Sequence, residues 1–227
     1  MYSDLPHVIC LSEHHLKSSE LSFVNIEYYT IGAHFSRALH EGGGVIIYVH
    51  NSLKFINIDL NEYCQEKDIE ICAIKIKSNS LSLCILALYR APSGNFVYFL
   101  QNLDNILHSL YSPSTQFIIC GDLNINYLLE NVQKKQLENL LLIYNLMGIA
   151  DFPMRISHIS AMAIDNICID ITCYEDYQVI PFINDLTDHN AQLLTIKIPV
   201  HKQADRLKST RKVNKHTILD FIIKLSF

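Results

Sequence analysis

Asp122 and Asn124 stand two positions apart in CGDLNIN (120–126), directly after the apolar run QFIIC and a glycine, Gly121. A strand that stops at Gly121 turns sharply there and leaves both side chains at its carboxyl end, the edge at which open α/β sheets hold their ligands. Four further sets of polar residues sit beside apolar runs in the same way. Glu13 follows HVICLS, Tyr89 and Arg90 end LSLCILALY, Asp165 and Asn166 lie in AIDNICI, and Asp188 with His189 precedes AQLLTI. These carboxylates, imidazole, phenol and guanidinium are groups suited to proton transfer and to binding a charged ligand. Each also has an ordinary structural explanation. Asp122, Asn124 and the Asp188–His189 pair suit turns, and Glu13 suits a first helical turn behind Ser12. Tyr89 suits a half-buried aromatic position, and Asp165 a hydrogen bond at a strand end.

The elements that must position these groups are mostly strands. Short apolar runs between turn signals predict strands at 7–12, 44–49, 69–77, 81–89, 116–120, 164–172 and 191–198. The runs 69–77 and 81–89 are separated only by Ser78, Asn79 and Ser80, which predicts an antiparallel hairpin. Two stretches carry helical spacing instead. FVYFLQNLDNILHSL (96–110) follows the start signal SGN, and QKKQLENLLLIYNL (133–146) has Gly148 available to end it. The order, antiparallel strand runs with a few helices interposed, predicts an α/β fold of two packed sheets covered by helices. It lacks the strict alternation of a doubly wound parallel sheet.

At 227 residues with 49% hydrophobic content, the chain is long enough to bury a large core as one domain. The formal net charge of −5 provides no global attraction for nucleic acid, so a polyanion would have to meet a local basic patch or a bound cation. The seven cysteines form no C-x-x-C pair and mostly fall in strand-like runs, which points to a reducing compartment. No secretory leader and no apolar run of membrane-spanning length is seen, so the expectation is a nuclear or cytoplasmic protein with no membrane association. Between His201 and His216 lie six Lys and Arg against the single acid Asp205, read as a solvated basic linker rather than a nucleic-acid arm.

Taken in order, ICLSEHHL, GGGVIIYV, YRAPSGN, CGDLNIN, ISAMAIDNI and TDHNAQLLTI resemble the endonuclease/exonuclease/phosphatase superfamily. The likeness is greatest to the apurinic-endonuclease-like domain that precedes reverse transcriptase in non-LTR retrotransposons, and it covers roughly residues 4–200. The resemblance implies a DNase I-like four-layer sandwich, two mainly antiparallel sheets flanked by helices, over residues 1–200. Residues 201–227 then form a basic linker and an amphipathic helix. It implies that Glu13 and Asp188 bind Mg2+, or Mn2+ in its place, through hard carboxylate oxygens. Asp122 orients or deprotonates the attacking water and Asn124 positions it. His189 donates to a phosphate oxygen, with Asp165 favouring its imidazolium form, and Tyr89 contacts the same phosphate. Arg90, Asn166 and Arg155 are expected at the substrate, as contacts to the DNA phosphate backbone. The sequence does not identify a protein partner.

Some features depart from the family pattern. A first strand carrying a metal-site asparagine, and the helix after it, together about 25–35 residues by ordinary element lengths, are not matched in the sequence. Met154 stands where the family often has threonine. The main expectation is therefore a metal-dependent DNA-nicking endonuclease or its remnant. The alternatives are a phosphoesterase acting on phospholipid or nucleotide substrates, and a catalytically silent binding protein of the same fold.

Overall fold

The computed structural model describes residues 5–77, 82–156, 161–174, 176–182 and 189–197; Asp188 and the segment from 201 onward lie outside them. Strands form at each of the seven predicted apolar runs, and further ones form between them. In the first third of the chain lie β1 (Val8–Ser12), β2 (Tyr29–Phe35), β3 (Val45–His50) and β4 (Phe55–Ile58), of which β2 and β4 lie outside the predicted runs. They are followed by β5 (Glu70–Lys77), β6 (Ser82–Tyr89), α1 (Phe96–Leu110) and β7 (Thr115–Asp122). The last third contributes α2 (Val132–Ile143), β8 (Met147–Gly148), β9 (Arg155–Ile156), β10 (Ala161–Met162), β11 (Asp165–Ile169), β12 (Tyr177–Phe182) and β13 (Ala191–Ile196).

A six-stranded sheet in the order β4-β5-β6-β7-β11-β8 is the centre of the molecule. β5 and β6 pair antiparallel in unbroken register from Glu70–Tyr89 to Lys77–Ser82. β6 and β7 are parallel, because α1 carries the chain back across the sheet between them. α1 begins where Asn95 accepts hydrogen bonds from the N–H groups of Val97 and Tyr98, a cap worth about 1 kcal/mol. Its buried stripe of Phe99, Leu103, Ile106 and Leu107 packs with Leu137 and Leu141 of α2 on one face of this sheet. Each such side chain stabilises the fold by about 1.5–3 kcal/mol through the apolar area it removes from water.

α2 ends earlier than Gly148 suggests. Asn145 takes a left-handed conformation (φ +58°), and the N–H groups of Leu146 and Asn145 bond back to Leu141 O and Leu142 O. That closes the helix at Tyr144 and releases Gly148 into β8.

The opposite face of the central sheet meets a second layer. β1, β3 and β2 form a three-stranded antiparallel sheet whose Ala33, Val45, Ile47 and Val49 share a core with Ile74, Leu83, Ile85 and Ala87. β12 and β13 form a separate antiparallel pair, and its Val179, Leu194 and Ile196 pack against the same core. Outside the three-stranded sheet, a 3-10 turn, Leu21–Phe23, sets Leu21 against Ile46 and Tyr48; this is the covering among the described residues where a helical layer was expected. No disulfide joins any of the seven cysteines, and Cys72, Cys84 and Cys168 are packed in the core as expected. Among the described residues no helix is long and apolar enough to cross a membrane.

Candidate active site

Three neighbouring strands of the central sheet end level with one another. Tyr89 of β6 pairs with Asp122 of β7, and Asp122 pairs in turn with Asp165 of β11, so a phenol and two carboxylates stand in one row at the sheet edge. Gly121 makes this row possible, though not as the turn its position suggests: β7 runs through it to Asp122. Its φ is +142°, and an added Cβ would lie 1.8 Å from Leu88 O, so only glycine lets the two backbones approach this closely.

The chain turns after Asp122 instead. Asn124 is left-handed (φ +49°) and donates its backbone N–H to Asp122 Oδ1 at 2.8 Å. Its side-chain Nδ2 donates to Arg90 O at 2.8 Å. Glu13, one residue past β1, is also left-handed (φ +54°) and accepts a short hydrogen bond from the Tyr89 hydroxyl. Non-glycine residues rarely take this conformation, and two of them at one strand-end cluster indicate a held constellation. The last member comes from the other end of the chain. His189 bridges to Arg155 and sets Nδ1 2.8 Å from Asp165 Oδ2, while Gln192 Nε2 donates to Asp165 O at 2.9 Å.

The cluster is crowded with negative charge. Asp122 is only 3% exposed, and burial pushes its carboxyl up to about 7; the charges of Asp165 and Glu13 add to this, opposed by the Asn124 N–H and by His189. Tyr89 is pushed up as well, by burial and then by its bond to Glu13. Donor atoms of Asp122, Asp165 and His189 lie within 4.8 Å of one another. A buried carboxylate whose charge is this costly, with a second carboxylate and an imidazole beside it, fits a divalent cation that would offset the repulsion.

Of the sequence candidates, the structure brings together Glu13, Tyr89, Asp122, Asn124, Asp165 and His189. The metal pair expected at Glu13 and Asp188 falls partly outside the described residues, since Asp188 is not among them; within them, the donor atoms grouped closely enough to hold an ion are those of Asp122, Asp165 and His189. Arg90 is corrected. It is 2% exposed and spends its guanidinium on the carbonyls of Leu123, Asn124, Ala91 and Gly94, stacked over Phe96, so it clamps the β6 and β7 exits rather than reaching a phosphate. Asn166 is corrected too. It is 1% exposed and exchanges hydrogen bonds with the backbone of Ala150. Arg155 is half-buried in β9, next to His189 through the backbone bridge. Two residues escaped the sequence reading: Gln192, which looks like an ordinary polar strand position, and Glu70, whose only signal is an acid inside an apolar strand.

Several solved structures share this architecture. The endonuclease domain of TRAS1, a telomere-specific non-LTR retrotransposon, matches with TM-score 0.58 and 16% identity over 74% of this chain and 81% of that one. The 3'-5' exonuclease NExo from Neisseria meningitidis matches with TM-score 0.61 and 14% identity over 86% and 90%. An AP endonuclease from Archaeoglobus fulgidus matches with TM-score 0.60 and 12% identity over 85% and 90%. No protein-family model and no curated protein matches the sequence.

Proposed function

We propose, from the premise that the chain has the endonuclease/exonuclease/phosphatase fold of these enzymes, that it hydrolyses phosphodiesters and nicks DNA in a Mg2+-dependent reaction. The non-LTR retrotransposon endonucleases are the intended model for this activity. The observation that carries the reading is the convergence of Glu13, Tyr89, Asp122, Asp165 and His189, drawn from four separate strand ends and a hairpin, on one edge of the sheet.

Each residue then has a task. Asp122, its plane fixed by the Asn124 N–H, orients the attacking water and accepts its proton. As the new P–O bond forms, the ester P–O bond breaks and the leaving sugar oxygen takes a proton from solvent water. Asp165 engages His189 Nδ1 and favours the imidazolium, so Nε2–H is left to donate to a phosphate oxygen as negative charge grows there. Tyr89 holds the Glu13 carboxylate and contacts the same phosphate as His189. Glu13 and its neighbouring carboxylates would hold Mg2+, or Mn2+ in its place; imidazole suits softer ions, which leaves His189 to the substrate. When bound, the ion would polarise the phosphoryl oxygen. It also suits a chain of net charge −5, whose overall field repels DNA. The proposed setting is nuclear or cytoplasmic.

The test is incubation of purified protein with supercoiled plasmid and Mg2+. Open circles should form, and EDTA or Asp122→Ala should prevent them. Nicking that survives the substitution removes Asp122 from the mechanism. Turnover of nucleotide or phospholipid esters without nicking moves the substrate to small phosphoesters.

A further inference from the structure

We infer that Arg37, paired with Glu70 beneath the site, is the positioning residue for Tyr89 and, through Tyr89, for Glu13. The inference rests on the proposed phosphodiesterase activity only for its effect on turnover. The pair is deeply placed: Arg37 is 7% exposed and Glu70 is fully buried. Glu70 stands opposite Tyr89 in the β5–β6 register, so the two residues share one rung of the ladder.

Every oxygen of Glu70 is engaged. Oε1 accepts from Arg37 Nε at 2.6 Å and from Lys67 N at 2.8 Å, and Oε2 accepts from Gly44 N at 2.6 Å. Thus oriented, the Arg37 guanidinium lies 5.6 Å from the centre of the Tyr89 ring and donates through Nη1 to Glu41 O at 2.9 Å. A planar fork fixed at both ends is a rigid floor for an aromatic ring, and the cation attracts its face.

The glycine run 42–44 completes the arrangement. Gly43 (φ +64°) lies against the guanidinium, where an added Cβ would sit 2.3 Å from Arg37 Nε, and at Gly44 (φ +87°) an added Cβ would sit 2.6 Å from the His14 ring. Gly43 O also accepts the N–H of His15 at 2.9 Å, tying down the chain two residues beyond Glu13. Glu13 is therefore held from two sides that both trace to the ion pair: by its bond to Tyr89, whose ring rests on Arg37, and by the loop wrapped around that guanidinium. A buried ion pair contributes little net stability against an apolar replacement, so its placement here is better explained by geometry than by energy. None of the six sequence motifs contains Arg37 or Glu70.

The experiment replaces tyrosines with 3-fluorotyrosine and assigns the Tyr89 19F resonance by its loss in Tyr89→Phe. Arg37→Lys keeps the charge and gives up the fork, and Glu70→Gln keeps the shape and gives up the charge. Both are expected to move the Tyr89 resonance while that of the distant Tyr144 stays in place. In Mg2+-dependent nicking both should lower kcat roughly 10–100-fold with KM for DNA within about twofold, as supporting partners of a site typically do. A Tyr89 resonance unmoved in both folded variants overturns the inference. So does loss of the cooperative unfolding transition in both, which would give the pair a purely architectural role. A moved resonance with unchanged kcat overturns the link to turnover. If the parent protein fails to nick DNA, the nuclease reading fails, and the resonance alone decides the placement of Tyr89.

Discussion

Asp122 is held where its charge is least welcome, almost out of water and beside Asp165 and Glu13. Under the proposed mechanism this position predicts opposite effects on stability and activity. Asp122→Asn retains the bond from Asn124 N–H and removes the repulsion. In EDTA it should raise the unfolding temperature, by about 2–4 °C for each kcal/mol of relief in a chain of this size, while nicking falls at least ~100-fold. Thermal melts of both proteins, with and without Mg2+, check this; a lower melting temperature for the variant in EDTA would contradict it. The removal of His189 by alanine should cost roughly 10²–10³ in kcat, the usual loss for one donor to a developing oxyanion, with stability nearly unchanged. At this scale the sequence was informative where a polar residue punctuates an apolar run, as at Asp122, Asp165 and His189. It was silent on orientation. Arg90 follows Tyr89 directly, yet its guanidinium turns inward to four carbonyls, a choice made by partners from the Leu123–Asn124 turn that lie far along the chain.

The elements matter through register. Tyr89, Asp122 and Asp165 come level only because β6 and β7 approach closely at Gly121. Gly121→Ala should therefore destabilise the protein by about 3 kcal/mol or more, since backbone must move and the new residue is strained at positive φ. Urea unfolding measures the loss, and a variant within 1 kcal/mol of the parent (about the size of an ordinary surface change) would show that the strands have room to spare. α1 was legible to the residue, because its cap and its stripe are both local signals. The end of α2 was not, since Gly148 is the commoner stop and Asn145 the one used. β2 was hidden by the irregular register between Ile31 and Ala33, β4 by its four-residue length, and β12 by Pro181, which reads as a break and sits on a strand paired on one side.

For the whole molecule, charge placement sets how stability depends on pH. Glu66 lies under the loop 38–40; burial raises its carboxyl, but the N–H of Leu39, the His40 ring, and the N–H groups of His40 and Ala38 outweigh this and bring it down to about 2. A carboxyl lowered on folding stabilises the protein above its unfolded value, and that contribution disappears as pH falls through the folded one. The advantage of the parent over Glu66→Gln should thus be full at pH 7 and fade between about 4.5 and about 2, as followed by chemical denaturation at each pH. A difference that stays constant over that range would mean the loop does not depend on the charge. The two-sheet plan was legible from the order of strands, whereas the division of the second layer into two pieces arises from long-range pairing that no local pattern encodes.

His189 enters the cluster just ahead of β13. Among the described residues the β12–β13 pair shares no ladder with either larger sheet, and around the histidine it is held at Asp165, Arg155 and Met154. Under the proposed reaction, a local opening around His189 that leaves the central sheet folded would remove activity, so activity should be lost at a lower temperature than the global unfolding transition.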